Sequence, residues 1–93
     1  RSLMSQVADT LLDIQGVQAA FVLANSDTNE TCISARSSGA INVQAIMEKM
    51  HGGGHMTAAA MQRSKTNLKT VKAELMNAIE EYRKEEDTNE SDS

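Results

Sequence analysis

The segment from Val17 to Ala24 constrains the fold most, because it is nearly all apolar and is bounded by turn-forming residues. A short continuous apolar run of this kind is typical of a strand that is buried on both faces. Turn formers occupy 25–29, and Thr31 to Ser37 then alternates between two sides. The two segments predict an antiparallel hairpin, with Arg36 near the far end of its second strand.

Amphipathic segments flank this predicted hairpin. Apolar residues at helical spacing predict a first helix over about 2–15, with Gly16 as its C-terminal glycine. Asn42 is a good N-cap for a second helix over about 43–50. A third, longer helix is predicted over about 67–84.

The small apolar residues 55–60 could form one helical turn and then a short strand through Arg63. The element order is then α-β-β-α-(β)-α, which predicts an α/β fold with a small mixed sheet and flanking helices. A chain of 93 residues forms one domain at most. Its core must be aliphatic, because Phe21 and Tyr82 are the only aromatic residues.

The charge is unevenly distributed along the chain. Residues 85–93 contain five acidic side chains and no basic one, whereas residues 1–84 contain nine basic and eight acidic side chains. We therefore expect a folded domain over 1–84 and a disordered acidic tail over 85–93. The near-neutral domain argues against long nucleic acid as a partner, but it leaves room for a small anionic ligand.

The single cysteine, Cys32, excludes an internal disulfide, and the sequence contains no apolar stretch of the length that spans a bilayer. These features predict a cytoplasmic domain. The chain begins at Arg1 without an initiator methionine, so we expect it to be part of a longer protein.

Three consecutive glycines, Gly52, Gly53 and Gly54, precede His55. Glycines let a ligand approach the backbone closely, and their N–H groups can form a concave anion-binding nest. A helical turn beginning at His55 would add the positive end of its dipole, and the imidazole could donate a hydrogen bond. The alternative for the glycine run alone is a flexible turn.

Arg36 could bind a phosphate through two guanidinium N–H groups, although an exposed arginine at a strand end is the alternative. His51 and His55 are four residues apart, but the glycines between them break the helix that a metal pair would need. Asp9 and Asp13 have the same spacing, and a solvated helix face explains them better. The sequence shows no catalytic constellation and predicts no metal site.

The stretch from Ser34 to Ser38, followed by Gly39, Asn42-Val43, a short helix and Gly52-Gly53-Gly54-His55-Met56-Thr57-Ala58-Ala59, resembles the DHH-associated domain of DHH-family phosphoesterases. Among these, the chain is most similar to the GdpP/YybT type, which hydrolyses cyclic di-AMP. The resemblance covers residues 5–83. The family usually has a further glycine where this chain has His51.

The resemblance implies a substrate-binding role without catalysis. It implies that Arg36 holds the ligand phosphate and that the triglycine supplies backbone N–H groups. It also implies that His55 donates a side-chain hydrogen bond and that Ser37 and Asn42 lie at the rim of the binding site. It implies a parent enzyme whose manganese is bound by a separate upstream DHH domain, and this chain alone is expected to be inactive. In the GdpP type, the parent is membrane-anchored and has PAS-like and degenerate GGDEF domains.

Two other hypotheses remain at this stage. The substrate could be pApA or a short RNA oligonucleotide. Alternatively, the domain could serve mainly in interdomain packing or as a homodimer, with the first or third helix as the contact.

Overall fold

The computed structural model describes the backbone of residues 2–91 and the side chains of residues 2–88. Its elements alternate between helix and pairs of strands, which confirms the predicted α/β class with a small sheet and flanking helices. In chain order they are α1 Leu3–Leu12, β1 Ala19–Asn25, β2 Thr31–Ser37, α2 Val43–Glu48, β3 Gly53–His55, β4 Ala58–Arg63 and α3 Leu68–Ser91.

The four strands form one sheet in the order β1-β2-β4-β3, and all neighbouring strands in it are antiparallel. The sheet is therefore not mixed in strand direction. Where the sequence predicted one possible strand after α2, the structure has two, β3 and β4, which form a second hairpin. His55 is the last residue of β3 and does not begin a helical turn. The helix dipole expected at His55 is consequently absent from this site.

The hydrophobic core lies between one face of the sheet and the helices α2 and α3. Ile33 and Ala35 of β2 and Met61 of β4 point into it, because alternate residues of a strand share a face. Ala59 of β4 is buried there too. The remaining buried members come from α2, from α3 and from the residue just after the α2 C-cap, and they are Val43, Ile46, Met47, Met50, Val71, Leu75 and Ala78. Helix α1 packs on β1 and β2.

Helix α3 is longer than predicted. It continues to Ser91, so the segment 85–91 of the expected disordered tail is helical, and residues 92–93 lie outside the described part of the chain. Polar contacts support this extension: Arg83 pairs with Glu80 and Asp87 along the helix, and Lys49 of the α2 C-cap donates to Glu85 at 2.7 Å. The hydrogen bond with Glu85 raises the pKa of Lys49. Composition alone does not reveal such contacts.

Within residues 2–91, no helix is both long enough and apolar enough to cross a membrane.

Candidate functional site

Two rows of paired residues cross three strands of the sheet on the face opposite the core. Arg36 of β2 is opposite Ala58 of β4, which in turn is opposite His55 of β3. Directly paired residues project from the same face of a sheet, so the side chains of Arg36 and His55 lie on one face with a small alanine between them. Two strand spacings separate their backbones, which is about 9–10 Å.

The second row lies next to the first and contains Ser34, Ala60 and Gly53. Together the rows line a shallow depression of about 220 Å³, which we call the open shelf. Its lining residues are Ser5, Ser34, Arg36, Gly53, Gly54, Ala58, Ala59 and Ala60. The shelf exists because α1 covers β1 and β2, while Ala60 on β4 and His55 on β3 remain exposed.

Helix α1 forms one wall of the open shelf. Ser5 shares a hydrogen bond with Ser34 (3.2 Å between the hydroxyl oxygens), and Asp9 pairs with the Nε of Arg36 at 3.2 Å. Arg36 also donates through Nη1 to the carbonyl oxygen of Ala35 at 2.8 Å. These contacts hold the guanidinium at the edge of the shelf. The hydrogen bond of the guanidinium among the described residues thus uses Nη1 rather than its other terminal nitrogen, Nη2.

The three glycines have different structural roles. A Cβ atom at Gly52 would collide with the carbonyl oxygen of Ala60, and one at Gly54 would lie 2.5 Å from the Cα of Ala59. Both positions therefore need glycine so that β3 can lie close to β4. A Cβ atom at Gly53 would meet no atom within 4 Å. Gly53 is thus the glycine that a ligand could approach.

The concave nest expected from the triglycine is replaced by an extended strand. The N–H of Gly52 donates to the carbonyl oxygen of Met47 at 2.8 Å, so it is not available to a ligand as expected. Gly53 and Gly54 belong to β3, which pairs with β4 on one side and forms the edge of the sheet on the other. An edge strand presents alternate backbone N–H groups outward. These outward amides of β3 are the backbone donors that a ligand could reach.

The two predicted rim residues lie away from the open shelf. Ser37 is 5% exposed and belongs to the core-facing side of β2, where its hydroxyl donates to the carbonyl oxygen of Ile41 and accepts from the N–H of Gly39. Asn42 caps α2, as predicted, by accepting from the N–H of Ala45 at 3.1 Å. Both side chains are engaged in holding the segment between β2 and α2.

This geometry can be compared with known families. The DHHA1 domain family matches residues 1–85, which is nearly the whole chain. The chain belongs to the DHHA1 family. This confirms the family that the glycine and arginine pattern indicated.

Curated relatives of this DHHA1 domain include enzymes. A cyclic-di-AMP phosphodiesterase, GdpP, of Bacillus subtilis (strain 168) is 48% identical over 80 residues, which are 86% of this chain and 12% of the relative. The cyclic-di-AMP phosphodiesterase PdeA of Listeria monocytogenes serotype 1/2a (strain 10403S) is 46% identical over 82 residues, 88% of this chain and 12% of the relative.

A third relative has a different name. A membrane protein–large ribosomal subunit bL9 fusion protein of Aster yellows witches'-broom phytoplasma (strain AYWB) is 51% identical over 87 residues, 92% of this chain and 10% of the relative. The chain therefore spans about a tenth of the length of the relatives it matches. The DHHA1 domain described above is homologous to one part of each.

Sequence reasoning missed several residues of the shelf in this DHHA1 domain. Ala58 and Ala60 form its floor, and Ser5, Asp9 and Ser34 join it from α1 and β2. The alanine run between Thr57 and Met61 was a usable signal, because small residues in a strand leave space above the sheet. The contribution of α1 had no sequence signal, since it depends on which face of the sheet the helix covers.

Proposed function

We propose that this DHHA1 domain is the substrate-binding module of a cyclic-di-AMP phosphodiesterase. The observation that carries the proposal is the row in which Arg36 and His55 flank Ala58 on the uncovered face of the sheet. The named phosphodiesterase relatives support the choice of a cyclic dinucleotide over other anions.

Each part of the open shelf has a defined role in this proposal. Arg36 directs Nη2 at a phosphate oxygen, and a charge-assisted hydrogen bond of this kind is about twice as strong as a neutral one. Gly53 lets the ligand reach the backbone of β3, where outward N–H groups add donors. Ala58 and Ala60 provide a flat, small-residue floor for a sugar or base, and His55 donates at the far end of the row.

The hydrolytic step belongs to another part of the parent protein. Among the described residues, the structure brings together no group of three or more His, Cys, Asp or Glu side chains that could hold a metal ion. The side chains of residues 2–88 therefore do not fit a manganese site. We place the manganese in an upstream DHH domain of the same polypeptide, in a parent that is membrane-anchored, and we expect this chain alone to be inactive.

The test uses the intact phosphodiesterase. Arg36→Ala and His55→Ala should each raise KM for cyclic di-AMP while the manganese content stays normal. Loss of a hydrogen bond to a charged group costs about 1.5–3 kcal/mol, so we expect roughly a 10- to 100-fold effect for Arg36. Lys65→Ala and His51→Ala are the matched controls, because they remove an exposed cation and an exposed imidazole outside the shelf.

The outcome separates the remaining hypotheses. Unchanged kinetics in both shelf variants would exclude the binding role and leave a packing or dimerisation domain. If the variants lose turnover of pApA more than turnover of cyclic di-AMP, the shelf serves the linear dinucleotide, and the substrate assignment is wrong.

A further inference from the structure

A third row of paired residues follows the two rows of the open shelf and ends at Gln62 of β4. Gln62 is opposite Cys32 of β2, one row past the pair of Ser34 and Ala60. Alternate residues of a strand point to the same face, so the side chain of Gln62 projects from the same face as those of Ala58 and Ala60. The pairing of β3 with β4 extends only as far as Ala60, and Gln62 is exposed. The face that carries the shelf therefore continues to an exposed carboxamide.

The three rows differ in charge along the strands. Arg36 supplies a cation in the first row. Among the described side chains, the rows through Ala60 and Gln62 contain no Asp, Glu, Lys, Arg or His. The neighbouring Arg63 lies on the opposite face of β4, where it forms an ion pair with α3. The shelf thus presents a cation at one end and neutral polar groups at the other, which suits a phosphate at one end and the uncharged part of a nucleotide at the other.

The separation of the two ends suits a single nucleotide. Ala58 and Gln62 are four residues apart on β4, and a strand rises about 3.3 Å per residue, so their backbones are about 13 Å apart. This interval leaves room for a sugar and a base between the contact with Arg36 and the carboxamide. Ala60 lies midway and is exposed, and a Cβ atom at Gly53 would meet no atom within 4 Å. The floor between the two ends is therefore open to a planar base.

A carboxamide distinguishes adenine from guanine through its hydrogen bonds. The glutamine side chain has a carbonyl oxygen that accepts and an amino group that donates. Adenine presents its N6 amino group as a donor beside N7 as an acceptor, so it can form two hydrogen bonds with the carboxamide. Guanine presents two acceptors, O6 and N7, in the same place. The carboxamide can donate to guanine, but its carbonyl oxygen then faces an acceptor.

We propose that Gln62 is the residue that selects adenine in the substrate of this domain. The phosphate lies at Arg36, and the base extends along β4 to the carboxamide, which donates to N7 and accepts from the N6 amino group. This inference rests on the proposed substrate-binding function, and it adds the identity of the base and the direction of the nucleotide on the shelf. A well-placed pair of hydrogen bonds of this kind distinguishes the bases by about 5- to 150-fold.

The test compares the two bases in the intact phosphodiesterase. The selectivity is the inhibition constant of cyclic di-GMP divided by the KM of cyclic di-AMP. Gln62→Ala should reduce the selectivity at least about 5-fold, mainly by raising KM, because only adenine loses a pair of hydrogen bonds. Gln62→Arg should reverse the selectivity, since arginine donates to both O6 and N7 of guanine.

Two controls accompany these variants. Gln15 is also an exposed glutamine, and it lies outside the shelf. Gln15→Ala and Gln15→Arg should keep the original selectivity, and the second also controls for the added positive charge. Thermal unfolding of this chain should give nearly the same midpoint with Gln62→Ala as without it, because the residue is exposed.

Arg36→Ala separates this inference from the proposed function. It should weaken both dinucleotides by the same factor, because both carry the same phosphates. If it does so while both Gln62 variants keep the original selectivity, the binding function stands and the role of Gln62 is wrong. If Arg36→Ala changes neither constant, the proposed function fails and the inference fails with it. An intact enzyme that does not prefer cyclic di-AMP would also overturn the inference.

Discussion

Arg36 combines a partly buried position with a guanidinium whose hydrogen bond among the described residues uses only one terminal nitrogen, Nη1. Its side chain is 20% exposed, and that of Asp9 is 32% exposed. Ion pairs at this depth are screened less than surface pairs, so Asp9 restricts the guanidinium even at physiological salt. The carboxylate also reduces the local positive charge. Asp9 therefore positions Arg36 at the cost of some attraction for an anion.

These two effects of Asp9 can be separated by substitution. Asp9→Ala removes both, and we expect KM of the intact phosphodiesterase to rise about 3- to 10-fold, since ordering a freed side chain costs about 0.5–1.5 kcal/mol. Asp9→Asn keeps a polar side chain of the same size beside Nε, so it should restore most of the affinity. If Asp9 only stabilised the fold, both variants should lower the unfolding midpoint and leave KM unchanged, and calorimetry beside the kinetics would reveal that pattern.

His51 is held in a backbone conformation that favours glycine. Its φ is 65°, and the bonds from His51 N–H to Glu48 and from Gly52 N–H to Met47 close a Schellman motif at the end of α2. The left-handed region costs a non-glycine residue about 1–2 kcal/mol. The DHH-associated pattern usually has glycine at this position. The positive φ that the end of α2 requires explains that preference.

We expect His51→Gly to stabilise the domain by about 0.5–1 kcal/mol, because relief of the left-handed strain exceeds the added chain entropy of glycine. Thermal unfolding of this chain measures the change. His51→Ala provides the comparison, since alanine keeps the strain and loses the imidazole. A stabilisation of similar size in both variants would show that the imidazole, and not φ, is unfavourable.

At the scale of elements, most of the fold could be predicted from periodicity. The bounds of β2 match the prediction, and α2 begins at the predicted residue because Asn42 caps it. Helix α1 ends at Leu12, before the predicted end, because a turn that leads to Gly16 follows it. Strand β3 could not be predicted, since glycine is depleted in strands and only the close approach to β4 makes it favourable here.

The different roles of the three glycines before His55 predict a graded series. Gly53→Ala should leave the unfolding free energy within about 1 kcal/mol of the original value, because its Cβ enters open space. In the intact phosphodiesterase the same methyl group should raise KM, as it occupies the shelf. Gly52→Ala and Gly54→Ala should each destabilise the domain by about 1–3 kcal/mol through overpacking against β4.

Chemical denaturation of this chain and kinetics of the intact enzyme test the series together. Normal KM in the Gly53→Ala variant, at full stability, would mean that the ligand does not approach β3.

The candidate site could be predicted from the sequence only in part. Arg36, Gly53 and His55 stood out by residue type, whereas Ala58 and Asp9 joined them through strand register and helix placement, which one sequence does not specify.

At the scale of the whole molecule, α3 extends past the part that it helps to bury. Among the described side chains, Tyr82 is the last one along α3 that packs against the core, and its hydroxyl accepts from the N–H of Asn42 at 3.0 Å. The helix beyond residue 84 contacts the rest of the described chain through the Lys49–Glu85 pair. This last stretch therefore has little part in holding the domain together.

A shortened chain that ends at Lys84 tests this argument. We expect it to fold with an unfolding midpoint within about 3 °C of the original, because exposed salt bridges contribute little to stability. A chain that ends at Thr88 keeps the Lys49–Glu85 and Arg83–Asp87 pairs and is the matched control. Failure of the chain that ends at Lys84 to fold, while the control folds, would show that the core needs the end of α3.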